Sequence, residues 1–119
     1  MTQAASRLKV KDQDGVTIVE FLDKNILDEF AIQQITDEMT RLVDVENRTQ
    51  MIINLVNVEH LSSAALGTLI TINNRIKSKD GKLRLVHISG QILEVFKITK
   101  LDQLFDIHES YDDGLKAFK

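Results

Sequence analysis

The run Met51-Ile52-Ile53-Asn54-Leu55 is the feature that most constrains the fold of this chain. Four of its five residues are apolar, and the run has the length of a strand. A strand with one solvated face alternates apolar and polar residues, whereas a nearly continuous apolar run is typical of a strand covered on both faces. The run therefore predicts a central strand of a sheet.

An opening β-hairpin is predicted upstream of this strand. Leu8 and Val10 alternate with charged residues, and residues 16–21 are rich in β-formers. Asp14-Gly15 between them is a dipeptide typical of two-residue hairpin turns, because it tolerates the positive φ angles that such turns need. The hairpin contributes an antiparallel strand.

Two stretches carry apolar residues at helical spacing. The first helix is predicted from Asp28 to Val43, with Asp28 and Glu29 in the first turn, where negative charge suits the helix dipole. The second begins at Ser62-Ser63 and ends among basic residues, which suit the C-terminal end of a helix. The apolar stripes are Ile32, Ile35, Met39 and Leu42 in the first helix and Ala65, Leu69, Ile72 and Ile76 in the second.

The remaining residues continue the alternation of strands and helices. Residues 80–86 predict an Asp-Gly turn and a short strand, after which Ser89 caps a third helix. Residues 104–107 predict a last strand, and Ser110 caps a terminal helix. The apolar residues of these two helices are Ile92, Val95 and Phe96 in the third and Tyr111, Leu115 and Phe118 in the terminal one.

The resulting order, β-β-α-β-α-β-α-β-α, predicts an α/β fold with a mixed, mostly parallel sheet of four to five strands and four or more helices. No repeat or proline-rich linker divides the 119 residues, since the chain has no proline at all. We therefore expect a single domain over residues 1–119, with its core at about 8–118. A chain of this length buries about two-thirds of its unfolded surface, enough for one core.

Composition narrows the classes of partner and chemistry. The chain has no cysteine, which excludes thiol catalysis and a disulfide framework. Its formal net charge of -3 gives no global positive field for nucleic acid or an anionic membrane. No apolar run is long enough for direct membrane insertion, so we expect a cytoplasmic protein.

The side chains that most often carry catalysis are scattered. His60, His87 and His108 lie on three different predicted elements, and none has a second histidine at the spacing of a helical metal pair. The phosphate-binding and nucleophile motifs rich in glycine are missing. Hydrolysis by Ser63 would need a nearby base, which sequence alone does not reveal. We therefore expect that the chain is not an enzyme and that it binds neither a cofactor nor a metal.

The Ser62-Ser63 junction follows the central strand and opens a helix. Free backbone N–H groups at a helix N-terminus favour an anion there, so a phosphate on either serine would be accommodated with little refolding. The alternative is structural: a serine at this position can be a helix N-cap and nothing more. Both interpretations stay open on these residues alone.

Residues 52–70, together with the element order, resemble the STAS domain of bacterial anti-sigma-factor antagonists. In that family an Asp-Ser-Ser/Thr-Gly-Leu-Gly motif carries a serine that a partner kinase phosphorylates. Anchoring the resemblance on Leu66-Gly67 puts Ser63 at the phosphoacceptor, with Ser62 the less favoured choice. The chain departs from the motif at Ser62 and Ala65, and Asn54 stands where the family has a strand aspartate.

The resemblance implies a non-catalytic, partner-switching regulator. Its unmodified form would bind an anti-sigma factor or serine protein kinase, phosphate on Ser63 would break that contact, and a serine phosphatase would restore it. Leu66 is expected to be an exposed apolar contact. The docking surface that the resemblance implies consists of Asn25, His60, Ser62, Ser63, Leu66 and Gly67.

Two alternatives remain. A STAS scaffold or transporter-associated subunit would use the same surface without phosphorylation, and the two missing carboxylates favour this interpretation. A nucleotide-binding protein or enzyme would instead gain thermal stability from its ligand.

Overall fold

The computed structural model describes residues 6–116, which form seven strands and four α-helices. Two further helical segments are shorter: a π-helical turn at Arg41–Val45 and a 3-10 turn at Leu101–Gln103. In chain order the elements are β1 (Leu8–Gln13), β2 (Val16–Phe21), β3 (Asn25–Ile26), α1 (Glu29–Thr40), β4 (Gln50–Asn54), β5 (His60–Leu61), α2 (Ser63–Ser78), β6 (Lys82–Val86), α3 (Gly90–Ile98), β7 (Asp106–His108) and α4 (Tyr111–Lys116).

Five strands form the main sheet in the order β1-β2-β4-β6-β7. The β1–β2 hairpin is antiparallel, and the other three pairings are parallel. Asp14 and Gly15 at the hairpin turn both have positive φ, at 53° and 83°, as the sequence predicted. The structure confirms the α/β class and the mostly parallel sheet.

The predicted central strand is β4, which lies in the middle of the five. Ile52 and Ile53 point to opposite faces, and both are fully buried. Ile53 belongs to the main core, which α1, α2 and α3 build over one face of the sheet. Ile52 belongs to a smaller core on the other face, where Leu115 of α4 packs on it together with Val16, Ile18 and Val86.

Several boundaries differ from those predicted. The first helix ends at Thr40 as an α-helix and continues as the π-helical turn. The last strand is Asp106–His108 rather than residues 104–107, because Leu104 and Phe105 follow the 3-10 turn and pack into the main core instead. The Phe105 ring lies 5.6 Å from that of Phe96. Phe118, predicted on the terminal helix, lies outside the described residues.

The short strands β3 and β5 were not predicted from the sequence. They pair in parallel as a separate two-stranded sheet, with Asn25 opposite His60 and Ile26 opposite Leu61. This sheet joins the segment after β2 to the segment after β4. Across residues 6–116, none of the helices is both long enough and apolar enough to cross a membrane.

Candidate docking surface at the start of helix α2

The two serines at the start of α2 have different environments. Ser62 is the N-cap, and its hydroxyl oxygen accepts a hydrogen bond from the backbone N–H of Ala65 at 3.1 Å. Ser63 is the first helical residue and is exposed. Its hydroxyl has no hydrogen-bond partner among residues 6–116. The Ser62 side chain therefore caps the helix, whereas the Ser63 hydroxyl is accessible from solvent.

The first turn of α2 can receive negative charge. It contains no acidic residue, and the N–H groups of Ser63 and Ala64 have no carbonyl one turn earlier in the helix. The last turn carries Arg75 and Lys77, which suit the negative end of the helix dipole. An anion at Ser63 would meet the positive end of a sixteen-residue helix.

The small β3–β5 sheet brings Asn25 beside the α2 junction. Asn25 and His60 are paired and both exposed. The backbone N–H of Ser62 donates to the carbonyl of Ile26 at 3.0 Å, so the pairing continues up to the helix cap. On the rim, Lys24 and Glu59 form a solvent-exposed ion pair at 2.9 Å. Asn25 and His60, predicted from distant parts of the chain, thus lie side by side.

Leu66 and Gly67 lie one turn into α2. The expectation of an exposed Leu66 was wrong: the side chain is half-buried and packs against the main core. Since residues three apart share a helix face, Leu66 still lies on the face that carries Ser63. A Cβ on Gly67 would meet no heavy atom within 4 Å, so the backbone there does not require glycine.

An open groove of about 720 Å³ adjoins these residues. Its apolar lining comes from β5, the first turn of α2, the first two turns of α3, and the segment before α1. Helical periodicity groups Val95 with the apolar residues of its helix, yet 43% of Val95 is exposed along this groove. The lining residues are Leu27, Glu59, His60, Leu61, Leu66, Gln91, Ile92, Glu94 and Val95.

Asn54 does not contribute to this groove. It follows Ile52 and Ile53 on β4 and lines a smaller recess with Lys9, Lys11 and Tyr111, on the sheet face that α4 covers. The Asn54 side-chain oxygen accepts from the backbone N–H of Val56 at 3.0 Å. Its amide therefore stabilises the turn after β4.

The other two histidines serve different elements. Nε2 of His87 accepts from the N–H of Tyr111 at 3.2 Å at the start of α4. Nε2 of His108 lies 3.0 Å from a carboxylate oxygen of Asp106 on β7. Within the described residues, no imidazole is hydrogen-bonded to Ser63, and no group of three His, Asp or Glu side chains could hold a metal ion.

Among the described residues, three groups with shifted pKa values lie away from α2, namely Asp12, Arg48 and Tyr111. A hydrogen bond from Arg48 lowers the pKa of Asp12 below its ordinary value, and Arg48 precedes β4 at the end of the sheet opposite the Ser62 junction. Burial raises the pKa of Tyr111 at the start of α4.

Comparison with known proteins relates this chain to a family. The family model described as the STAS domain matches residues 7–114. A Bordetella bronchiseptica protein, named as a candidate anti-sigma factor antagonist, BtrV, is 23% identical over 113 residues, or 95% of each chain.

Solved structures share the fold. The crystal structure of TM1081 from Thermotoga maritima, a candidate anti-sigma factor antagonist, has a TM-score of 0.83 and 20% identity, with 92% of each chain covered. The Bacillus cell fate determinant SpoIIAA in its phosphorylated form has a TM-score of 0.72 and 13% identity, covering 94% of this chain and 99% of its own. At these low sequence identities, the similarity shows that this chain shares the fold of these proteins.

Proposed function

The chain belongs to the STAS domain family, and on that premise we propose that it is a cytoplasmic, non-catalytic regulator that switches partners when Ser63 is phosphorylated. The unmodified form binds an anti-sigma factor or serine protein kinase through the surface at the start of α2. Phosphate on Ser63 breaks the contact, and a serine phosphatase restores it. The name of the BtrV relative supports the anti-sigma factor as partner class.

The observation that carries this proposal is the contrast between the two serines. The Ser63 hydroxyl is exposed and unbonded within residues 6–116, whereas the Ser62 oxygen is held by the N–H of Ala65. A kinase needs a serine oxygen that can enter its active site, so Ser63 is the acceptor of the two. The phosphorylated SpoIIAA relative supports modification on this fold.

Electrostatics explains why the phosphate would act on the partner rather than on the fold. A phosphate adds about 1.5 to 2 negative charges, and a helix N-terminus is a favourable position for them. The domain therefore keeps its structure, while a partner packed against Ser63 must either desolvate the phosphate or leave. Asn25 and His60 extend the contact beside the serine.

The test combines phosphate mapping with binding. Mass spectrometry of protein purified from its own organism is expected to find phosphate on Ser63 and none on Ser62. Affinity capture from native lysate compares the wild type with Ser63→Ala and Ser63→Glu, and the captured protein is identified. We expect Ser63→Ala to retain an anti-sigma factor or kinase that Ser63→Glu loses.

Ser78→Glu is the matched control, because Ser78 is the last residue of the same helix, about 22 Å away along the axis. It should retain the partner. Equal capture by Ser63→Glu and the wild type would contradict the switch.

A second candidate is a scaffold that binds without being modified, including one beside a transporter. Ser62 and Asn54 in place of two family carboxylates favour it, since a kinase that recognises those charges would not find them here. Absence of phosphate on Ser63 under all growth conditions, with partner capture retained, would support this candidate.

A further inference from the structure

We infer that the groove between α2 and α3 is a docking site for an amphipathic α-helix with a basic flank, supplied by a protein partner. This site shares His60 and Leu66 with the docking surface proposed above, but Ser63 itself is not among the residues that line the groove. The two surfaces can serve one partner, and they can be tested separately at residues that they do not share, namely Ser63 and Val95.

The apolar character of the groove supports a hydrophobic occupant. Leu61, Leu66 and Ile92 form a floor continuous with the main core, and the two walls expose 55% of Leu27 and 43% of Val95. A groove with these walls loses apolar contact with water when it is filled, which is the dominant favourable term in association. The outer face of α3 continues the wall, because Ile98 lies one turn beyond Val95 and is 79% exposed.

The charges of the groove define the polar flank of the occupant. Glu59 and Glu94 both line it, and no lysine or arginine does. Lys24 partly offsets Glu59 through an exposed ion pair, whereas Glu94 forms no ion pair among residues 6–116. Carboxylates on the rim favour lysine or arginine on the incoming segment and repel an acidic one.

The shape favours a helix over a strand. A strand would have to extend a sheet edge, and the sheet at the groove has strands of only two residues, β3 and β5. A helix instead presents anchors at i, i+3, i+4 and i+7 to a groove between two elements. The first turn of α2 and the first two turns of α3 provide such a groove.

The experiment uses two designed fluorescein-labelled peptides of eighteen residues with the same leucine stripe, one flanked by lysines and one by glutamates. Fluorescence anisotropy measures their binding to the full chain at low and moderate salt. The lysine peptide should bind at least ten times more tightly than the glutamate peptide. Amide chemical shifts should change at Leu61, Leu66, Ile92 and Val95.

Variants locate the site. Val95→Lys should weaken binding of the lysine peptide at least ten-fold, because the new lysine places a charge in the apolar wall and repels the lysines of the peptide. Val45→Lys is the matched control, since Val45 is 70% exposed next to Asp44, which pairs with Arg75 near the far end of α2. This variant should bind within two-fold of the wild type. Glu94→Lys should reduce the preference for the lysine peptide.

Ser63→Glu separates this inference from the proposed function. The variant should retain peptide binding, even though it is expected to lose the switch partner. Equal affinity of the two peptides, equal weakening by Val95→Lys and Val45→Lys, or shift changes outside the groove would each overturn the groove assignment while leaving the Ser63 switch standing. Circular dichroism establishes that each variant is folded.

Discussion

The hydroxyl oxygen of Ser62 accepts a hydrogen bond from the backbone N–H of Ala65 at 3.1 Å and thereby caps α2. The neighbouring Ser63 hydroxyl is exposed and contributes nothing comparable to the cap. Two adjacent serines thus have separable roles, one in stability and one available for chemistry. Substitution of Ser62 should therefore change the stability of the protein, whereas substitution of Ser63 should change its capacity for phosphorylation.

Replacing Ser62 by alanine should destabilise the protein by about 1 kcal/mol, because one N–H of the first helical turn loses its acceptor. Ser63→Ala should change the free energy of unfolding by less than about 0.5 kcal/mol, since it removes an exposed hydroxyl that takes no part in the capping hydrogen bond. Urea unfolding followed by circular dichroism measures both values. Equal losses in the two variants would contradict the assignment of the cap.

Ser63→Glu should raise the free energy of unfolding by about 0.3–1 kcal/mol at low salt, because the new carboxylate faces the positive end of the α2 dipole. Ser78→Glu, at the other end of the same helix, should have the opposite sign. Thermal unfolding at two salt concentrations measures both changes, which should shrink as salt screens them. A large destabilisation by Ser63→Glu would indicate that negative charge there alters the fold itself.

The start of α2 could be predicted because several local signals coincide there. A capping serine, a helical apolar stripe and basic residues in the last turn all indicate the same element. The β3–β5 sheet offered no such signal, since two residues are too short to show a period of two. It depends on backbone bonds between distant segments, such as that from Ser62 N–H to the Ile26 carbonyl.

The groove was also beyond prediction from sequence. Periodicity grouped Ile92, Val95 and Phe96 as one apolar face of a helix. In the structure Ile92 and Phe96 are buried, whereas Val95 is 43% exposed, because the core reaches only one side of α3. Which apolar residues remain uncovered depends on how helices pack, and that packing is a property of the whole fold.

Two glycines should respond in opposite directions to alanine. At Gly81 a Cβ would lie 2.2 Å from the backbone carbonyl oxygen of Thr49, so Gly81→Ala should cost about 1–3 kcal/mol through overpacking. At Gly67 a Cβ would meet nothing within 4 Å inside a helix, so Gly67→Ala should stabilise by about 0.5–1 kcal/mol. Chemical denaturation gives the free energy of unfolding of each variant for comparison with the wild type. A loss of stability in Gly67→Ala would show that this position needs glycine for the fold.

The pKa of Asp12 tests the ion pair between Asp12 and Arg48, which lies at the end of the sheet away from the start of α2. A hydrogen bond from Arg48 is the largest cause that holds this pKa below the ordinary value of 3.8, and a hydrogen bond from Thr17 adds to it. Because the folded pKa is lowered, the stabilisation is complete above about pH 4 and is lost as the pH falls through the folded pKa.

Arg48→Gln should therefore raise the Asp12 pKa towards 3.8 and lower stability near neutral pH, with the difference from the wild type vanishing in strong acid. Carboxyl chemical shifts measured during an acid titration give the pKa directly. Arg48→Lys is the control, because it keeps the charge but loses the guanidinium geometry, and it should give an intermediate pKa. If Asp12 titrates identically in the wild type and Arg48→Gln, the ion pair does not persist in solution.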